Sequence, residues 1–215
     1  MGVKERRERE KSETRDSILD AARELFVTEG YEGVSMRRVA ERIEYSPTAI
    51  YVHFKDKNEL FHELCRVDFI RLSEAFQSAA ALTDPVERLV QTGRNYAEFG
   101  MHFPNHYRFM FMTVHPPHLP DEEDREMMGN PEVDAYAFLK QAAQEAISAG
   151  RFREELNDAE LVSQTLWAAV HGVVALNIAK CSDPWVEWRS LRNRVETMLD
   201  VTIRGMLRPP APEAK

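Results

Sequence analysis

The chain has 215 residues, 43% of them hydrophobic and 30% charged, with a formal charge of -8. That hydrophobic content excludes a disordered chain, and the length suits one compact helical body with a small appended module. Cys65 and Cys181 are far apart and form no CxxC pair, which excludes a disulfide framework or zinc knuckle and points to a reducing cytoplasm.

Residues 1–13 interleave Lys4, Arg6, Arg7 and Arg9 with glutamates and lack the apolar core of a signal peptide. They are expected to form a charged, disordered, solvated arm; the alternative is that the arginines reach the minor groove of DNA. A first helix is predicted from Thr14 to Thr28, turning Ile18, Ala21, Ala22, Leu25 and Phe26 inward and stopped by Gly30. The hydroxyl of Ser35 can cap a helix from Met36 to Ile43, and Ser46 followed by Pro47 opens another short helix. Val39, Ala40 and Ile43 share one face of the first of these, and Ile50 and Phe54 one face of the second. Helices under roughly twelve residues are marginal alone in water, so both must lean on longer neighbours.

The remaining side chains of that stretch, Met36, Arg37, Arg38, Pro47, Thr48, Ala49, Tyr51, His53, Lys55 and Lys57, are expected to stay exposed. Cations, a tyrosine hydroxyl and helix-opening N–H groups hold phosphates, whereas residues at the start of a recognition helix read base edges. Thr48 and Ala49 offer methyl contact to thymine, and Thr48 a hydroxyl as well. Candidate DNA-binding residues are therefore Ser35, Arg37, Arg38, Ser46, Pro47, Thr48, Ala49, Tyr51, His53 and Lys57. The acidic total does not oppose this, because Val34 to Lys57 holds five basic and three acidic residues and only the contacting face must be positive.

Downstream, a fourth helix is predicted from Asp56–Lys57 to Ala81, a fifth from Asp84–Pro85, and a short aromatic one from Pro104 to Met112. Thr113 to Gly129 reads as one long loop. Asn130–Pro131 opens a helix closed by Gly150, and two long helices follow, from Asp158 to Ala179 and from Pro184 to Leu207. No strand is predicted, and no apolar run is expected to approach a membrane span. The expected fold is all-α, with about nine helices: an arm (1–13), a three-helix helix-turn-helix domain (14–60), a larger helical ligand-binding and dimerisation domain (61–207), and a tail (208–215).

Ile18-Leu19-Asp20-Ala21-Ala22, Leu25-Phe26, Gly30-Tyr31, Ser35, Val39-Ala40, Ser46, Ile50-Tyr51, His53-Phe54, Lys57 and Leu60 form a long signature. Through it, Thr14 to Leu64 resembles the DNA-binding domain of the tetracycline-repressor (TetR) family of bacterial transcription regulators. The resemblance implies a helix-turn-helix on a dimer, with Tyr51, His53 and Lys57 touching the DNA backbone. The turn departs from the family pattern: Ile43-Glu44-Tyr45-Ser46 replaces an Ala-Gly-Val-Ser type, putting Glu44 where φ > 0 favours glycine at a cost of about 1 kcal/mol. A second segment, Trp167 to Leu176, resembles the C-terminal domain of the subgroup named for its Trp, His and Gly.

Trp167, Val170, His171, Val174 and Ile178 recur at helical spacing and read equally as core or as a dimer interface; the resemblance favours the interface. Gly172 within that helix costs about 1 kcal/mol unless a close neighbour offsets it. Two copies would then meet successive major grooves about 34 Å apart and recognise an inverted repeat in double-stranded DNA. Tyr96, Phe99, Phe103, Tyr107, Phe111 and Phe138, with Met101 and Met112, read either as core or as the lining of a small-molecule pocket, with Trp167 and His171 as further ligand contacts. His102, His106, His115 and His118, with Asp121 to Asp124, raise a metal-responsive alternative, although their spacing is poor for the three or four converging ligands zinc needs. No phosphate loop, nucleophile elbow or HExxH is found, so no enzyme, cofactor or resident metal is expected. The combined expectation is a cytoplasmic, homodimeric repressor released by a small apolar or amphipathic inducer, with no membrane partner; the alternative is a helix-turn-helix-shaped protein-interaction module.

Overall fold

A computed structural model describes residues 2–117 and 119–209; His118 and residues 210–215, most of the expected tail, lie outside the description. Its ten helices are α1 (Val3–Gly33), α2 (Met36–Arg42), α3 (Pro47–Tyr51), α4 (Lys57–Ala80), α5 (Pro85–His102), α6 (Pro104–Met112), α7 (Glu122–Met127), α8 (Ala135–Ser148), α9 (Ala159–Lys180) and α10 (Leu191–Met206). The protein is all-α. Its nearest approach to a strand, among the described residues, is a single antiparallel bridge between Phe152 and Leu207.

Several boundaries differ from expectation, each for a local reason. The arm is helical from Val3, because i,i+4 pairs of opposite charge (Arg6–Glu10, Arg9–Glu13) run straight into the periodic part of α1. Gly30 does break the helix, at φ 71°, with a further helical turn after it. Within the expected long loop, Asp121 and Asp124 form a reciprocal capping box that starts α7. Residues 131–133 only turn, and α8 starts after Asp134, whose carboxylate accepts from the Tyr136 and Ala137 N–H groups. Likewise α10 starts after Ser190 rather than at Pro184. Proline tolerates a helix start, but a cap with free N–H groups behind it decides where one occurs.

The chain forms two compact units, Met1–Phe69 with Asn105–Pro120, and Ile70–Pro104 with Asp121–Lys215. In the first, Ile18, Ala22 and Phe26 of α1 meet Val39 and Ala40 of α2, Ile50 of α3, and Leu60 and Phe61 of α4, all essentially solvent-free. Phe61 lies 5.0 Å from both Phe26 and Phe109, so α6 belongs to this core. In the second unit, Leu89, Leu139, Ala142, Ala146, Val162, Leu166 and Ile203 form the centre of a bundle of α5, α8, α9 and α10. Here α5 and α10 approach so closely that a Cβ on Gly93 would sit 2.6 Å from Leu199 Cδ2. Gly93→Ala is therefore expected to lose about 1 kcal/mol net in urea unfolding, since overpacking costs about 1–3 kcal/mol against a helix-propensity gain of about 1. Leu199→Val should restore part of that loss.

Contrary to the expectation that no apolar run approaches a membrane span, α9 is long and apolar enough to cross one by length and composition, yet only 28% of its most apolar window is buried within the chain. Of the expected interface stripe, Val170 and Val174 are buried in the chain's own core, His171 and Ile178 are half-buried, and Trp167 is exposed. The uncovered face also carries Leu161, Ala168 and Leu176, with Gly172 half-buried between them. A Cβ on Gly172 would meet nothing within 4 Å, so no neighbour among the described residues explains that glycine.

Candidate nucleic-acid interface

The first unit builds a convex edge from two short helices and the turn between them. Ser35 Oγ accepts from Arg38 N at 3.3 Å and Ser46 Oγ from Ala49 N at 3.3 Å, with Pro47 at the first position of α3. Between the helices, Tyr45 N donates to Ala40 O (2.9 Å) and Glu44 N to Glu41 O (3.3 Å), the bond pattern of a Schellman motif. Glu44 holds the left-handed position of that motif at φ 59°, the one non-glycine with positive φ among the described residues. The expectation of strain at the family's glycine position is met, and the fold accommodates it.

Val39, Ala40 and Ile50 fasten the edge to the core and leave Arg37, Arg38, Pro47, Thr48, Tyr51 and Lys55 exposed, with Ala49, His53 and Lys57 half-buried. Met36 is a correction: it is buried rather than exposed, because it stands three and four residues before Val39 and Ala40 on the same stripe. Lys57 Nζ donates to Tyr31 O at 2.8 Å and sits 4.1 Å from the centre of the Tyr31 ring, whose hydroxyl donates to Asn58 Oδ1 at 2.7 Å. The lysine is thus mounted on α1.

The arginines of α2 are already paired. Arg37 holds Glu41 at 2.8 Å, Arg42 holds Glu24 at 2.8 Å, and Arg38 chelates Glu29 at 2.6–2.9 Å. The hydrogen bond from Arg38 holds the Glu29 carboxyl below its usual range. Exposed pairs of this kind are weak, so a phosphate can displace the carboxylates. The His53 pKa is lowered, first by burial and then by the nearby charges of Lys11 and Arg15, and its Nδ1 is buried without a hydrogen-bond partner among the described residues. The proximity of Lys11 to this edge is not evident from sequence spacing.

In the second unit the residues suggested for ligand contact converge only in part. Trp167 Nε1 donates to Tyr96 Oη at 3.2 Å, and that oxygen lies 3.0 Å from His171 Nδ1. Tyr136 adds a ring 6.1 Å from Trp167. Phe99 is buried near Phe103, over which Arg71 lies at 5.1 Å, and Phe138 packs on Phe76. Phe138 also borders a cleft of about 400 Å³ whose other walls include Gln77, Arg88, Gln141 and Glu145, a polar rather than aromatic lining. Tyr107 and Phe111 belong to the first unit, where they pack on each other at 5.0 Å.

Burial lowers the His171 pKa. Its unfolded form therefore binds a proton first as the pH drops, so stability is full above about pH 6.5 and declines below it toward the depressed folded pKa. His171→Asn, which cannot titrate, should give a shallower acid limb in urea unfolding at stepped pH; an unchanged limb would show that His171 does not contribute.

No three His, Cys, Asp or Glu side chains among the described residues are grouped to hold a metal ion. His102 Nδ1 bonds the Glu98 carbonyl, His115 Nε2 bonds the Phe109 carbonyl, and His118 lies outside the described residues.

Comparison with known proteins agrees with this architecture. Residues 18–64 match the family described as bacterial regulatory proteins, tetR family, and residues 89–201 the tetracyclin repressor-like C-terminal domain, a stretch that contains Trp167 to Gly172. The chain is 45% identical over 65 residues to the HTH-type transcriptional repressor AcnR of Corynebacterium diphtheriae, a match covering 30% of this chain and 34% of that one. It is 24% identical over 164 residues to the HTH-type transcriptional regulator UidR of Escherichia coli K12, covering 75% and 80%. The match thus spans about a third of the AcnR sequence. Among solved structures, a TetR family transcription regulator from Marinobacter aquaeolei superposes with a TM-score of 0.74 at 15% identity, covering 95% of this chain and all of the other. The two domain matches together place the chain in the TetR family of DNA-binding transcription regulators, which are not enzymes.

Proposed function

We propose that the chain acts as a homodimeric, ligand-responsive repressor that binds an inverted-repeat operator in the cytoplasm. The observation that carries this is α3: a capped, proline-started helix whose leading edge presents Pro47 and Thr48 to solvent, with Ala49 half-buried behind them and Tyr51 exposed beside it. In this reading Thr48 and Ala49 touch bases, while Ser35, Arg37, Arg38, Ser46, Tyr51, His53 and Lys57 anchor the flanking phosphates. The uncovered apolar face of α9, with Val201 of α10 65% exposed, supports pairing with a second copy. The hydrogen-bonded Tyr96, Trp167 and His171 cluster supports contact with an apolar or amphipathic inducer carrying one polar group. Such a ligand releases DNA only by binding the DNA-incompetent conformation more tightly, and α4, which continues from the first unit into the second, is the element through which the preference acts.

Selection from a random duplex pool tests this reading. It expects recovery of an inverted repeat, bound by two protomers. Recovery of an asymmetric site, or of a complex containing one protomer, would refute it.

A further inference from the structure

The amino-terminal part of α1 is helical although residues 4–13 are exposed throughout, so it has no core of its own to join. Its charges are sorted by face. At about 100° per residue, Lys4, Arg7, Lys11 and Arg15 fall within roughly 80° of arc, whereas Arg6 and Arg9 point to the other side. On that other side the arginines are neutralised in place, Arg6 by Glu10 at 2.7 Å and Arg9 by Glu13 at 3.5 Å. On the first side Lys4 has only Glu8 at 3.9 Å, and Arg7 and Lys11 have no carboxylate within ion-pair distance among the described residues. Arg15 fixes the stripe to the body of the unit: it bonds Glu63 at 2.5 Å and lies 5.2 Å from the centre of the Phe54 ring. The stripe also adjoins the reading edge, because Lys11 and Arg15 are the two cations that act on His53, two residues beyond the exposed Tyr51.

We propose that Lys4, Arg7 and Lys11 form a second DNA-contacting surface, a helical rail that binds the sugar–phosphate backbone beside the site read by α3. From Lys4 to Lys11 the rail runs about 10 Å at 1.5 Å per residue, long enough to follow two or three phosphates. A polyanion continuous with the operator is the occupant that fits, since an unneutralised cationic face abuts the element that meets DNA. The inference rests on the DNA-binding reading of α3. It adds affinity rather than sequence preference, because phosphate contacts carry no base information.

Two double variants of equal net charge test it: Arg7→Gln/Lys11→Gln on the rail and Arg6→Gln/Arg9→Gln opposite. The measurement is anisotropy of a labelled random-sequence duplex from about 50 to 200 mM salt. Each lost phosphate contact lowers the slope of log affinity against log salt by about 0.9. The rail variant should lose about 1.8 from the slope and bind tens of times more weakly near 0.1 M, and the opposite variant less than half that change. Equal changes in both, or none in the rail variant while wild type binds, overturn the rail and leave the reading of α3 intact. A wild type that binds no duplex at low salt overturns the reading of α3 and the rail with it. Wild-type binding to anionic lipid vesicles as tight as to duplex, at equal phosphate, overturns DNA as the occupant. Urea unfolding and helix content by circular dichroism should match wild type in both variants, since these side chains bury nothing, each exposed i,i+4 pair contributes only about 0.2–0.5 kcal/mol, and glutamine is as good a helix former as arginine.

Discussion

Asp68→Asn is expected to remove about 3–5 kcal/mol of stability, the largest single loss in the chain, because it strands a buried guanidinium. Asp68 is fully buried and Arg23 nearly so, joined by two hydrogen bonds of 2.9 and 2.8 Å. Burial opposes the charge on Arg23, but the hydrogen bond and charge of Asp68, with help from Asp20, raise its pKa all the same. Asp20 is mostly exposed and cannot replace the lost partner. Arg23 sits on α1, Asp68 on α4, and His106 of α6 brings Nε2 to 3.8 Å from Asp68, so one carboxylate ties three helices of the first unit. Urea unfolding measures the loss. Arg23→Met/Asp68→Leu together should recover most of it, since well-packed apolar replacements of a buried pair are often neutral or better. A loss below about 1 kcal/mol for Asp68→Asn would mean that water reaches the pair.

The second large effect is on assembly. Leu176 is 52% exposed in the single chain, and a charge there should change protomer stability by no more than about 0.5 kcal/mol. Leu176→Glu is nevertheless expected to convert a dimer to monomers at micromolar concentration and to weaken operator binding at least a hundredfold, because a two-fold axis places two copies of the new charge in one apolar contact. Light scattering with chromatography measures the first and gel shift the second. An unchanged mass and affinity would move the interface away from this face of α9.

The helix-turn-helix edge is legible in the sequence because its determinants are local. Ser35, Ser46 and Pro47 act on N–H groups within three residues, and Glu44 occupies a turn position defined by its neighbours. The stripe of α2 also contained Met36, and the helical period alone assigns it to the core. Other features depend on groups distant in sequence. Whether Val170 or Leu176 faces inward is decided by where α5, α8 and α10 pack on α9, and a helix whose polar residues are spread around it gives no periodic clue. Residue type groups the aromatic side chains but does not reveal that Tyr107 and Phe111 belong to a different unit from Tyr96 and His171. The starts of α8 and α10 follow the capping side chains of Asp134 and Ser190 and not the upstream prolines Pro131 and Pro184.

The central claim is that the leading edge of α3 reads base pairs, and Thr48→Val tests it most directly because the change keeps size and removes one hydroxyl. Duplexes selected by wild type and by the variant should differ at one base position per half-site, symmetrically, while tolerance to salt stays the same. Identical selected sites, or uniform weakening on every duplex, would contradict it.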